Sequence, residues 1–191
     1  MIKRLMTAAA ALVLLTNPLA AAEADGAMAQ YASERAAEWL MNDTVVAAIM
    51  AQNARTAGLS AAEIDSLDKD WRAQVGQADM PLIASVLHSP LSVELTDHVA
   101  DAGGMITEVF IMDAQGLNVA ASAVTSDYWQ GDEAKFQETY GVGPDAVHIS
   151  EIELDESTQT YQAQVSLSLT DPATGEMIGA VTFGLNAQSF Y

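Results

Sequence analysis

Apolar residues fall into two regimes along the chain, one helical and one with strand periodicity. Between residues 27 and 57, strong helix formers run without Pro or Gly. Met28, Ala32, Trp39, Val46 and Met50 recur at steps of four or seven, which places them on one stripe of a single long helix. Gly58 stands where a helix stop belongs. Ser60-Ala61-Ala62-Glu63 then has the form of a capping box, with the Ser and Glu side chains each satisfying a free backbone N–H. Ile64, Leu67, Trp71 and Val75 follow at steps of three and four and predict a second amphipathic helix ending near Gly76. Pro81 opens a third helical segment as a first-turn residue. Pro90 interrupts it, and Leu91, Leu95 and Val99 continue at a spacing of four as far as Gly103-Gly104.

Beyond that point the period changes. Residues 107–112 read as a β-rich run, and Asp113-Ala114-Gln115-Gly116 as a turn back into 117–123. Residues 132–140 form a short helix or structured loop. Three further strands are expected at 146–154, 160–170 and 176–186, separated by turn-rich segments at 155–159 and 171–175. In the middle one, Tyr161, Ala163, Val165, Leu167 and Leu169 alternate with Gln162, Gln164, Ser166 and Ser168, giving one buried and one polar face. Short connections demand antiparallel pairing. The expected class is α+β, with a long N-terminal helix and further helices packed on a roughly five-stranded antiparallel sheet.

The N-terminus changes the picture of where this domain works. Lys3 and Arg4, the apolar run 5–15, Pro18 and the small residues Ala20-Ala21-Ala22 have the three-part form of a secretory signal, with cleavage after Ala22. The apolar run is short for a span, which needs about 20 residues. The expected organisation is a signal peptide at 1–22 and one domain at 23–191, helical over 23–104 and sheet-forming over 105–191. Such a chain is exported, and the absence of cysteine fits a bacterial periplasm. Without Lys3 and Arg4, 5 of the 7 basic residues face 26 acidic ones, a formal charge of −21. That field repels nucleic acid and anionic membranes.

Several chemistries find no support in the sequence. Zero cysteines exclude thiolate catalysis and cysteine-bound metal. His88, His98 and His148 have no ligand spacing, so no metal site is expected. There is no GxSxG elbow or SxxK motif, and Gly141-Val142-Gly143 runs into Pro144, a poor phosphate loop. Neither enzymatic activity nor a cofactor is expected. The unusual stretch is residues 125–133, where Tyr128 and Trp129 lie among hydroxyl, carboxylate and amide groups. Such aromatics either wall a ligand pocket, with polar groups orienting the ligand, or close one end of the core while Asp127 and Asp132 cap turns.

The order of several pieces carries a resemblance. Val109-Phe110-Ile111-Met112-Asp113 leads through a turn at Gly116 to Val119-Ala120-Ala121-Ser122. Ser126-Asp127-Tyr128-Trp129-Gln130-Gly131-Asp132-Glu133 follows, then Asp155-Glu156-Ser157 before Tyr161. Val165-Ser166-Leu167-Ser168, Asp171-Pro172 and Gly175-Glu176-Met177-Ile178-Gly179-Ala180-Val181-Thr182 complete the series. Over residues 108–186 the chain resembles the Cache and PDC-type extracellular sensor domains of bacterial receptors and kinases. That resemblance implies a PAS-like sheet whose face and overlying loops hold a small metabolite: an amine, an amino acid or an organic acid. On the matching positions ligand contact falls to Asp127, Tyr128, Trp129 and Ser126, and then to Asp113, Asp155 and Tyr161. The sequence departs from the family pattern in having no second apolar span and no output module. The expectation is a freestanding periplasmic binding module, lacking its own output and reporting to a membrane receptor or kinase. A homodimer through the N-terminal helix is also expected. Lys135 is the only basic residue of the sheet-forming half, which tilts the ligand toward an amine or zwitterion. The alternative is an accessory subunit that acts through protein contact without a small ligand.

Overall fold

A computed structural model describes residues 18–155 and 159–191, apart from the side chains of 18–20 and 155. The expected signal sequence therefore lies outside the described residues, except for 18–22. Those five residues open helix α1, Pro18–Trp39. Among the described residues, no helix is long and apolar enough to cross a membrane.

The single helix expected over 27–57 is two helices, α1 and α2 (Asp43–Thr56). Asn42 causes the break. Its amide donates to Trp39 O at 2.8 Å, and its Oδ1 accepts from Val45 N at 3.0 Å, so one side chain closes α1 and caps α2. The interruption resets the buried stripe. Met28, Ala32 and Trp39 are buried as expected, but in α2 the buried positions are Val45 and Ile49. Val46 is half-buried and Met50 is exposed. A shift of one residue is about 100° of helix, enough to swap faces.

Helix α3 (Ala61–Gln74) has the expected capping box, with Glu63 accepting from Ser60 N at 2.8 Å. The hydrogen bonds from the Ser60 hydroxyl and backbone hold the Glu63 carboxyl below its ordinary pKa. Its buried side is Ile64, Asp68 and Trp71, while Val75, expected inside, is exposed. Helices α4 (Pro81–Leu87) and α5 (Pro90–Asp101) each begin with proline in the first turn. Ser89 caps α5 by accepting from Ser92 N at 3.1 Å.

The sheet contains β1 (Ile106–Asp113), β2 (Asn118–Ala121), β3 (Val147–Ile149), β4 (Glu153–Asp155), β5 (Thr160–Thr170) and β6 (Met177–Asn186). Its order is β2-β1-β6-β5-β3, all antiparallel, with β4 also running along β5. There are six strands rather than five because the strand expected over 146–154 is broken. Ile149 pairs with Val165 and Glu153 with Gln162. Four residues on one side thus match three on the other, a one-residue bulge. The α+β class, with an antiparallel sheet backed by helices, is otherwise as expected.

Strand alternation divides the core. Val109, Ile111, Ala163, Val165, Val181, Phe183 and Leu185 pack under α1, α2 and α5 with Met28, Ala32, Ile49 and Leu95. A smaller cluster joins α3 and α4 to the β1–β2 end through Ile64, Trp71, Ile83, Leu117 and Tyr128. On β5 the opposite face is polar, as the alternation predicted, but much of it is not solvated. Ser166 and Thr182 are fully buried there and share a 2.9 Å hydrogen bond. Phe136, from the short helix α6 (Ala134–Gln137), packs onto that face with Phe110 and Met112. The segment between β2 and β3 therefore forms a third layer.

Candidate functional site

Along β1 and β5 the residues that alternate away from the helices are Glu108 and Phe110, and Gln162 and Gln164. Together they floor a cavity of about 620 Å³ on the covered sheet face. Thr125, Ser126 and Gln130 wall it on one side, with Glu133 and Lys135 at the entry to α6. Glu151, Glu153 and Leu154 form the opposite rim, where the bulge between β3 and β4 lies.

The floor is a fixed hydrogen-bond array. Glu108 Oε1 accepts from Gln162 Nε2 at 2.8 Å and from Gln164 Nε2 at 3.0 Å. Gln162 Oε1 in turn accepts from Thr107 Oγ1 at 2.6 Å. Glu108 is thereby held in place on the cavity floor. Lys135 Nζ lies 5.4 Å from the centre of the Phe110 ring, donates to Gln130 Oε1 at 3.1 Å and pairs with Glu133 at 2.9 Å. An ammonium group is thus already accommodated here by a ring face, an amide oxygen and a carboxylate. Four carboxylates line the cavity against this one cation. With Glu133 paired to Lys135, the balance left for a ligand is negative.

No protein-family model and no curated protein matches the chain. Its neighbours among solved structures are sensory domains. The sensory domain of the Campylobacter jejuni chemoreceptor Tlp3 aligns with a TM-score of 0.40 and 10% identity, over 91% of this chain and 66% of that one. The sensor domain of the V. cholerae histidine kinase DctB gives 0.39 and 10%, over 86% and 58%. The ligand-binding domain of the Pseudomonas aeruginosa PAO1 amino acid chemoreceptor PctC, in complex with GABA, gives 0.37 and 15%, over 85% and 63%. The chain spans 58% to 66% of the length of these three.

The seven residues expected at the ligand do not converge on the sheet-face cavity. Ser126 lines it. Asp127, Tyr128 and Trp129 turn instead toward the helices. The buried carboxylate of Asp68 accepts the backbone N–H groups of Tyr128 and Trp129 at 2.9 and 3.0 Å. Arg72 joins Asp68 to Asp127, its Nε 2.8 Å from Asp127 Oδ1. The Tyr128 ring stacks on Trp71 with centroids 5.3 Å apart, and Trp129 Nε1 donates to Gln115 O at 2.8 Å. These aromatics close one end of the core, one of the two readings the sequence left open.

Asp113 does not reach the sheet-face cavity either. It is fully buried; its Oδ1 accepts from Gln115 N and Leu117 N at 2.8 and 2.9 Å, and its Oδ2 from Thr56 Oγ1 at 2.8 Å. Its role is to close the β1–β2 turn, where Gly116 at φ 82° passes Gly131 so closely that a Cβ would lie 2.5 Å from the Gly131 Cα. Tyr161 is half-exposed beside Leu154 at the sheet edge. Asp155 lies in β4, and its side chain is outside what is described.

The residues that form the cavity, Glu108, Gln130, Lys135, Gln162 and Gln164, were not among those expected. The alternation of Gln162 and Gln164 was legible as a polar face, but neither residue was assigned to the ligand. The usable signal was Glu108, an acid set inside a β-rich run opposite two amides.

Proposed function

We propose that the chain is a non-catalytic, ligand-binding sensor-type domain that takes a small amine or zwitterion in the sheet-face cavity. The observation that carries this reading is the Glu108–Gln162–Gln164 array on the floor of a cavity with four carboxylates to one ammonium. A ligand ammonium would meet Glu108, Glu151 and Glu153, and a ligand carboxylate would meet Lys135. The cavity is of the size and mixed polar character of small-molecule sites. Export to the periplasm is part of the same reading and is supported by the form of residues 1–22. Ligand state would pass to a membrane receptor or kinase by protein contact.

Calorimetric titration with putrescine, using 1,4-butanediol as its uncharged analogue, tests the assignment. Saturable binding of the diamine alone is expected, weakened about tenfold or more in Glu108→Gln, since hydrogen bonds to charged groups contribute about 1.5–3 kcal/mol. Equal binding of the diol, or no binding to folded protein, would remove the amine site and leave the protein-contact reading.

A further inference from the structure

On the helical side of the sheet lies a second cavity, of about 540 Å³, between α2 and the junction of α4 with α5. Val119 of β2 and Tyr128 lie in its lining. Its chemistry is the reverse of the sheet-face cavity. Not one carboxylate lines it, and Arg55 is its only charged residue, although the chain has 26 acidic residues to 7 basic ones.

Arg55 also stands apart from the other cations. Among the described residues, Arg35, Lys69, Arg72 and Lys135 each pair with a carboxylate. Arg55 pairs with none. Its side chain makes one long contact, donating from Nη2 to Gln52 Oε1 at 3.5 Å. Gln52 is itself immobilised, its Nε2 donating to the backbone oxygens of Leu117 and Asn118 at 3.3 and 3.0 Å. One face of the guanidinium's donor set is therefore free for an external anion.

Tyr128 supplies the second, independent feature. The residue is 8% exposed, with its ring stacked on Trp71, and its hydroxyl, which bonds to no group among the described residues, is left to the cavity. Burial first, and the Asp113 carboxylate second, push the phenol up to about 12 against the opposing pull of Arg55. At neutral pH the group is therefore a donor. Two donors, no carboxylate in the lining itself and the apolar surfaces of Val86, Leu91 and Val119 define one ligand chemistry.

We propose that this cavity is a second binding site, for a small monocarboxylate with an apolar tail. Arg55 and the Tyr128 hydroxyl receive the carboxylate, and Val86, Leu91 and Val119 receive the tail. The proposal is independent of the sheet-face reading, since the two cavities are lined by different residues and favour opposite charges.

Titration of the folded protein with sodium hexanoate tests it, with hexanol and hexylamine as uncharged and cationic analogues. Saturable one-to-one binding of hexanoate is expected, tighter than either analogue. Arg55→Gln should weaken it about ten- to a hundredfold, the range for losing a charge-assisted hydrogen bond. Tyr128→Phe keeps the ring on Trp71 and should weaken it about tenfold. Near-ultraviolet circular dichroism checks that both variants retain the native fold. No saturable binding up to about 10 mM, weaker than a ΔG of roughly 3 kcal/mol, would overturn the proposal. So would hexylamine binding as well as hexanoate, or loss of hexanoate binding in Lys135→Gln but not in Arg55→Gln.

Discussion

Replacing Asp68 with alanine removes the group that ties the 127–129 segment to α3. The carboxylate is 1% exposed and accepts two backbone N–H groups at 2.9 and 3.0 Å while pairing with Arg72. Hydrogen bonds to a charged acceptor contribute about 1.5–3 kcal/mol each. Arg72 retains Asp127 at 2.8 Å, so its charge is not left alone. The expected loss for Asp68→Ala is therefore about 3–5 kcal/mol, the range for breaking a buried charged pair. Asp68→Asn keeps a neutral oxygen facing both N–H groups and loses only the charge, which should cost about 1–2 kcal/mol. Urea unfolding at neutral pH, followed by tryptophan fluorescence, measures both, since Trp71 and Trp129 flank the tie. Alanine within about 1 kcal/mol of wild type, against that 3–5 kcal/mol, would show that the segment is held by other contacts. Asparagine as harmful as alanine would show that the charge, and not the two backbone bonds, is what matters.

Tyr128 makes alkaline stability a second test. Its phenol is raised from 10.0 to about 12 in the folded chain, so folding favours the protonated form. That contribution is complete below pH 10 and is lost as pH rises toward 12, at up to about 1.4 kcal/mol per pH unit. Unfolding free energies across that window should fall more steeply for wild type than for Tyr128→Phe, and parallel slopes would refute the assignment. Protein expressed with its own N-terminus and recovered from the periplasm should begin at Glu23 by intact mass. A mass that retains residues 1–22 would remove the cleaved-signal reading.

Much of the fold was legible because local signals and burial agreed. The turn glycines, the Ser60–Glu63 box and the two prolines at helix starts each impose their structure through backbone chemistry alone. The errors arose where one local event reset a longer pattern. Asn42 splits a helix whose apolar spacing looks continuous, because a capping side chain outweighs residues that are good helix formers on both sides. Ser150 Oγ accepts from Gln164 N at 2.9 Å beside the extra residue that divides β3 from β4, an event with no periodic signature. The candidate site was less legible for a different reason. Tyr128 and Trp129 have the composition of a pocket, but direction depends on their backbone N–H groups meeting Asp68, some 60 residues earlier in the chain. An acid in the register of an amphipathic helix reads as solvent-facing until its long-range partners are known.

The bulge between β3 and β4 has a consequence for how copies of this protein behave toward one another. That side is the open margin of the sheet, and it carries Val147, Ile152, Leu154 and Tyr161 partly exposed. A straight apolar margin of this length would template strand addition by a neighbouring chain. The extra residue leaves only three-residue strands on either side, and Glu151 and Glu153 place negative charge along it. Excising a single residue between 150 and 152 would straighten the ladder into one continuous edge. The same irregularity that shapes the rim of the cavity thus shortens the edge on which a neighbouring chain could add a strand.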